Sequence, residues 1–351
     1  MSARSAGRDV PVVVLAGYLG AGKSTLLNHL LRVAHGARIG VVVNDFGAVN
    51  IDAMLVAGQV DGAVAMSNGC LCCAVDDDEL DDALARLAAA GMDAIVVEAS
   101  GLAEPGALAR RIAFSTVRRI AYGGLVYVVD AFSFADTVAT HPSLRTHLAI
   151  ADLVVLNKVD LAPDPDAVAV DVAASGRGAP VVPTVDGALD PTLLFDVAER
   201  PADSGPRQLT LDELLREEQG HACGGAGEGG HSHHEHAHLH DGYQAVDVTV
   251  ESRLDARAVA ALLEAPPRGV FRIKGFVEVG DGTRFEVHTV GRHVRTARVP
   301  GSGSVLVFVG RGIDADGVRA SVVGCAYGPD GAPVPADRQA TLSLLRFSPE
   351  A

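Results

Sequence analysis

No apolar run in this 351-residue chain approaches the ~20 residues that a membrane-spanning helix needs. Residues 1–10 lack the apolar core of a secretory signal. The expectation is a cytoplasmic protein with no membrane partner. Basic residues are in short supply: 29 Lys and Arg stand against 44 Asp and Glu, a formal net charge of −15. Such a chain repels phosphodiester backbones, which argues against nucleic acid as the main partner. Cysteine is scarce and unevenly placed. Of five in all, three fall in Cys70-Leu71-Cys72-Cys73. Near-vicinal thiols pair poorly and an odd count leaves one over, so this is no disulfide framework. A reducing compartment and metal-ligand duty fit better. Apolar side chains, by contrast, make up 48% of the residues, ample for one large or two ordinary domains.

The organising stretch is Gly17-Tyr18-Leu19-Gly20-Ala21-Gly22-Lys23-Ser24-Thr25. An apolar run from Val10 to Ala16 precedes it and reads as a buried strand. Leu26 to Leu31 follows and reads as a helix. Strand, G-x-x-x-x-G-K-S, helix is the setting of a phosphate-binding loop. Gly17, Gly20, Ala21 and Gly22 would curl the backbone so that its N–H groups face a triphosphate, with the positive end of the helix dipole behind them. Lys23 would bridge the β- and γ-phosphates as a catalytic group. Ser24 would offer its hydroxyl to Mg²⁺, and Thr25 would reach the α-phosphate.

Strands over 10–16, 38–43, 93–98, 125–130, 152–156 and 179–182 alternate with helices over 23–35, 76–90, 104–113, 143–150, 164–174 and 191–199. That alternation predicts an α/β P-loop NTPase domain over residues 1–200, a mostly parallel sheet with helices on both faces. Residues 201–243 read as a linker: after a charged stretch, Gly220 to Gly242 is almost entirely Gly, Ala, His and acid, with too little apolar surface to fold alone. Residues 244–351 regain a compact pattern. Strands over 245–250, 269–279, 285–290 and 304–309 with helices over 254–264 and 313–323 predict a small C-terminal α+β domain with an antiparallel sheet.

Four further groups carry chemistry. Asn157-Lys158-Val159-Asp160 closes a strand on the edge where an open α/β sheet binds ligands. The Asp160 carboxylate can accept from N1–H and the N2 amine of guanine together, a donor pair that adenine lacks. Asn157 can serve the base's O6/N7 edge, and the Lys158 stem can lie on its face. GTP is therefore expected over ATP. Glu98 stands at another strand tip, with Gly101 just beyond. That acid can orient the Mg²⁺ shell or the attacking water, and Gly101 lets the backbone approach the γ-phosphate. Asp45 and Asp52 lie in the stretch where such a fold places its first loop, and compete with Glu98 for these duties. Cys70, Cys72 and Cys73 supply three soft ligands, leaving a fourth position exchangeable. Sulfur selects Zn²⁺, Cu⁺ or Co²⁺ over Mg²⁺. Seven of the thirteen histidines crowd a short segment: His221, His231, His233, His234, His236, His238 and His240. No spacing there fixes a geometry, so loose multi-site metal capture is expected. The other histidines and Cys325 read as ordinary structure.

In order, Gly17 to Thr25, Asn44-Asp45-Phe46-Gly47, Asn68-Gly69-Cys70-Leu71-Cys72-Cys73, Glu98 to Pro105, Asn157 to Asp160 and the histidine-rich segment resemble the CobW-type metallochaperone GTPases. Arg268 to Gly275 is similar to that family's C-terminal domain. The resemblance covers nearly the whole chain and implies GTP hydrolysis coupled to delivery of a metal, usually zinc and sometimes cobalt, to a client metalloprotein. It also implies that Cys70, Cys72 and Cys73 hold the metal near the nucleotide. Family members often carry Glu just after the Asn-[Asp/Glu]-Phe-Gly segment. This chain has Ala48 there, which leaves Asp45 and Asp52 as the acidic candidates. Alternative readings are a cobalt-handling protein of cobalamin synthesis, a histidine-rich metal buffer or activator with purely structural nucleotide binding, and a P-loop small-molecule kinase. A homo-oligomer is compatible with all of them.

Overall fold

In the computed structural model, residues 9–34, 37–43, 77–99, 104–195, 244–327 and 338–348 are described. Asp45, Asp52, Cys70, Cys72, Cys73, Gly101 and the histidines from His221 to His240 lie outside them. The chain divides into two compact units.

The first unit holds β1 (Val10–Gly17), β2 (Ile39–Val43), β3 (Ala94–Glu98), β4 (Ile120–Asp130), β5 (Leu153–Asn157) and β6 (Val181–Pro183). They line up as β2-β3-β1-β4-β5-β6, and every ladder is parallel. The helices between are α1 (Lys23–Val33), α2 (Asp77–Ala89), α3 (Pro105–Ala113), α4 (Phe134–Thr140), α5 (Leu144–Ile150) and α6 (Pro165–Ser175). Ala-Ile-Val-Val-Glu in β3 and Leu-Val-Val-Leu-Asn in β5 are buried at every position. Neighbouring side chains on a strand point to opposite faces, so both faces of the sheet are covered. Leu80, Leu84 and Leu87 share one side of α2 and are buried, as their i, i+4, i+7 spacing predicts.

Three elements differ from the pattern reading. β4 begins at Ile120 rather than 125, because the Gly123-Gly124 pair sits inside the strand. Gly124 has φ 108°, and the β1–β4 register shifts between Val12 and Val14: a bulge at a residue free to take positive φ. α4 was not anticipated. It has seven residues, and of these only Phe134 is buried, too short a run for a helical face to show. The helix expected over 191–199 is, in its described part, the 3₁₀ turn Pro191–Leu193. There Asp190 accepts from both Thr192 N and Thr192 Oγ1.

The second unit holds β7 (Gln244–Val250), α7 (Ala256–Glu264), β8 (Val270–Glu278), β9 (Arg284–Val290), β10 (His293–Arg298), β11 (Ser304–Gly310), α8 (Ala315–Val323) and α9 (Arg338–Leu345). Its sheet, β10-β9-β8-β11-β7, is antiparallel throughout. Ile273, Val277, Phe285, Val287, Leu306 and Phe308 face a core that also takes in Val259, Leu263, Val318, Val322 and Cys325. Asp255 and Asp314 cap α7 and α8 by accepting from first-turn N–H groups, as short acids at that position do. β10 escaped the sequence reading because it is polar. Val294 and Thr296 are its buried side chains, and the Thr296 hydroxyl donates to Leu344 O at 2.7 Å. No helix among the described residues is long and apolar enough to cross a membrane.

Candidate nucleotide site

Sheet register gathers the site on one edge. Glu98, the last residue of β3, stands opposite Leu15; Gly17 stands opposite Val128; and Asp130, the end of β4, opposite Asn157, the end of β5. The loop leaving β1 turns into α1 through Gly20 and Gly22, with φ of 75° and 99°. Gly22 is required on two counts. Its left-handed backbone is costly for any residue with a Cβ, and a Cβ there would collide with the Asn157 amide. Gly22 also starts α1, where no side chain caps and no acid occupies the first turn. The N–H groups and the positive dipole end of that helix start therefore have the character that suits an anion.

Lys23 is buried and folds back over the loop, its ammonium donating to Gly17 O at 3.0 Å and Tyr18 O at 3.4 Å. A charged nitrogen is thus held among the carbonyls of the cradle. The Ser24 hydroxyl donates to Glu98 Oε1 at 3.2 Å, and Glu98 is only 5% exposed. The structure thus joins two residues that the sequence placed 74 positions apart. A hydroxyl and a carboxylate side by side are hard oxygen donors, which suit Mg²⁺ and not a soft ion.

Asn157 is 1% exposed and ties three segments. Its amide donates to Ala21 O at 3.1 Å, and its Oδ1 accepts from Gly187 N at 2.9 Å and Thr184 Oγ1 at 3.2 Å. This bracing duty was not legible from the four-residue motif. Lys158, with φ of 60°, sends its ammonium to Gly20 O and to Asp130 Oδ2, both at 2.7 Å. Asp160 is exposed. Sequence reasoning missed Thr184, Gly187 and Asp130. For Asp130 a signal existed, an acid closing a strand on the ligand-binding edge. For the other two, only the fold brings the loop after β6 back to Asn157. At the outer side of the loop, the Tyr18 hydroxyl meets His141 Nε2 at 2.7 Å.

Among the described residues, no group of three or more His, Cys, Asp or Glu side chains converges on a point that could hold a metal ion.

Two family models match the chain. Residues 11–183 match the CobW/HypB/UreG nucleotide-binding domain, and residues 243–326 the cobalamin synthesis protein cobW C-terminal domain. The zinc chaperone CobW of a Sinorhizobium species is 29% identical over 364 residues, 92% of this chain and 98% of that one. The zinc chaperone YjiA of Escherichia coli is 32% identical over 195 residues, 53% of this chain and 61% of that one. The zinc-regulated GTPase metalloprotein activator 1 of Dictyostelium discoideum is 39% identical over 152 residues, 40% of this chain and 31% of that one. The match to each of the last two spans less than two thirds of the relative's own length.

Proposed function

Because this chain belongs to the CobW/HypB/UreG nucleotide-binding family, with a cobW-type C-terminal domain, we propose that it is a GTP-hydrolysing metallochaperone that carries zinc on Cys70, Cys72 and Cys73 and hands it to a client metalloprotein. The observation that carries the nucleotide half is the bond from the Asn157 amide to Ala21 O. It makes the phosphate loop and the Asn-Lys-Val-Asp strand end a single site, with a phosphate cradle at one end and Asp160 at the other. A purine presenting N1–H and a 2-amino group satisfies that carboxylate. Adenine leaves it desolvated and without those donors, at a cost of about 1–3 kcal/mol.

Within this site the chain's own groups do the following. The N–H groups at the start of α1 and the Lys23 ammonium hold and neutralise the β- and γ-phosphates. Ser24 and Glu98 would hold Mg²⁺, which when bound screens the charge that builds up on the phosphate oxygens. Glu98 also offers its carboxylate to orient the attacking water.

The zinc half is supported by the spacing of three thiols within four residues and by the names of the relatives. Three thiolates leave one position of a tetrahedron for a ligand from the client. The histidines from His231 to His240 would collect ions loosely for that site. The same sulfur set would accept cobalt, so competition among Zn²⁺, Co²⁺, Ni²⁺ and Cu⁺ with and without GTP decides the cargo. Isothermal titration of GTP with and without Zn²⁺ tests the coupling, and identical GTP affinity in both would reject it. Changing Cys72 to Ser should weaken zinc binding, whereas deleting 221–241 should spare the high-affinity site. The reverse pattern would make the histidines the working ligands.

A further inference from the structure

The C-terminal end of β4 carries a carboxylate that neither the motif reading nor the family description singles out. Asp130 is fixed from three sides. The ladder sets it opposite Asn157, and the next residue donates from Ala131 N to Asn157 O at 2.8 Å. Its own Oδ1 accepts from Phe132 N at 2.9 Å and Ser133 N at 3.3 Å. With Oδ1 engaged in the turn that leads into α4, Oδ2 is directed at the neighbouring strand end, where it meets Lys158 Nζ at 2.7 Å. That same ammonium donates to Gly20 O at 2.7 Å.

Lys158 needs such a partner. Its backbone sits in the left-handed region, sparsely populated by non-glycine residues. Its side chain is 32% exposed, against 15% for Asp130. A half-exposed lysine stem loses rotamer freedom when it is fixed in one place. Two charge-assisted contacts at the tip, one to a carboxylate that is itself immobilised, offset that loss. The result is a lysine stretched from the end of β5 to the lip of the phosphate loop.

We propose that Asp130 is a positioning residue for nucleotide retention: by anchoring the Lys158 ammonium it keeps the Lys158 stem against the base and the Gly20 carbonyl in place, and so slows nucleotide release without taking part in hydrolysis. The inference rests on the guanine-site reading above and deepens it. Asp130 acts through Lys158, while Lys23, Ser24 and Glu98 are held by other contacts. Dissociation and chemistry should therefore separate.

The test is a double-mutant cycle on the full chain, read by release of fluorescent GDP and by single-turnover hydrolysis of pre-bound GTP. Asp130→Asn keeps an oxygen for Phe132 N and Ser133 N but removes the charge. It should speed GDP release about tenfold and leave single-turnover hydrolysis within about twofold. Lys158→Met, which also loses the bond to Gly20 O, should speed release at least as much, and the double variant should be no faster than Lys158→Met alone, because the Asp130–Lys158 interaction is already gone in it. Asp130→Glu should recover part of the slow release. Additive effects, or a wild-type release rate in Asp130→Asn beside fast release in Asp130→Ala, would assign Asp130 only to its turn and overturn the proposal. Should the wild-type chain release GDP and ADP equally fast, the guanine reading itself would fail, a result distinct from either.

Discussion

Three residues show how differently a carboxylate, an amide and an imidazole are used within the first unit. Asp160 is exposed and, in the proposed function, accepts from the guanine edge. Replacing it by Asn removes a charge from two hydrogen bonds, each worth about 1.5–3 kcal/mol. GDP affinity measured by fluorescence titration should therefore fall about a hundredfold, with ADP affinity unmoved. Asn157, fully enclosed, works for the fold: removing its side chain would leave Ala21 O, Gly187 N and Thr184 Oγ1 to find other partners inside the protein. His29 on α1 illustrates a cost. Burial pushes its pKa below the usual 6.5, and Arg32 adds to that, while Asp190 opposes it. A folded-state pKa below the unfolded one means that the unfolded chain binds the extra proton first as pH falls. The contribution is present above about pH 6.5 and is lost as pH drops through the lowered folded value. His29→Gln should then flatten the acid side of the stability profile, seen as a smaller drop in urea midpoint between pH 7 and pH 5. An unchanged drop would place the acid sensitivity elsewhere.

At the scale of elements, the phosphate loop, the end of β5 and the loop after β6 form a packed unit. Gly22 is its tightest point. Ala at that position would adopt a left-handed conformation costing about 1–2 kcal/mol and would push against the Asn157 amide as well. Gly22→Ala should therefore abolish GDP binding while the far-ultraviolet dichroism stays native, since the sheet core does not depend on that contact. Retained binding would show that the loop can relax independently of β5. The second unit depends on a different element. Phe308 of β11 is fully buried between paired strands on both sides. Phe308→Ala should cost about 3–5 kcal/mol, measured as a lower unfolding midpoint.

For the whole molecule the proposed function turns on one quantity, the coupling between nucleotide and metal. Linkage makes it reciprocal: if zinc tightens GTP binding by some factor, GTP must tighten zinc binding by that factor. Titrations in both orders should agree, and a mismatch would mean that the metal acts at more than one place. Much of this molecule was legible before any coordinates. The alternation of apolar runs with amphipathic stretches predicted a parallel sheet, and β1 to β6 form one. G-x-x-x-x-G-K-S and N-K-x-D were readable because each is contiguous: the backbone of a few neighbouring residues has to take one shape, and Gly or Lys at fixed offsets announces it. β10 and α4 were not readable, since a polar edge strand and a seven-residue helix leave too little periodicity. By itself, then, the sequence determined the fold class and the strand ends on which G-x-x-x-x-G-K-S and N-K-x-D stand. Tertiary structure alone decided that Asn157 braces Ala21 across 136 residues, that Ser24 meets Glu98, and that Asp130 pairs with Lys158. The reason is physical: those partners meet through the register of parallel strands, which is set by packing of the whole sheet and not by any local spacing.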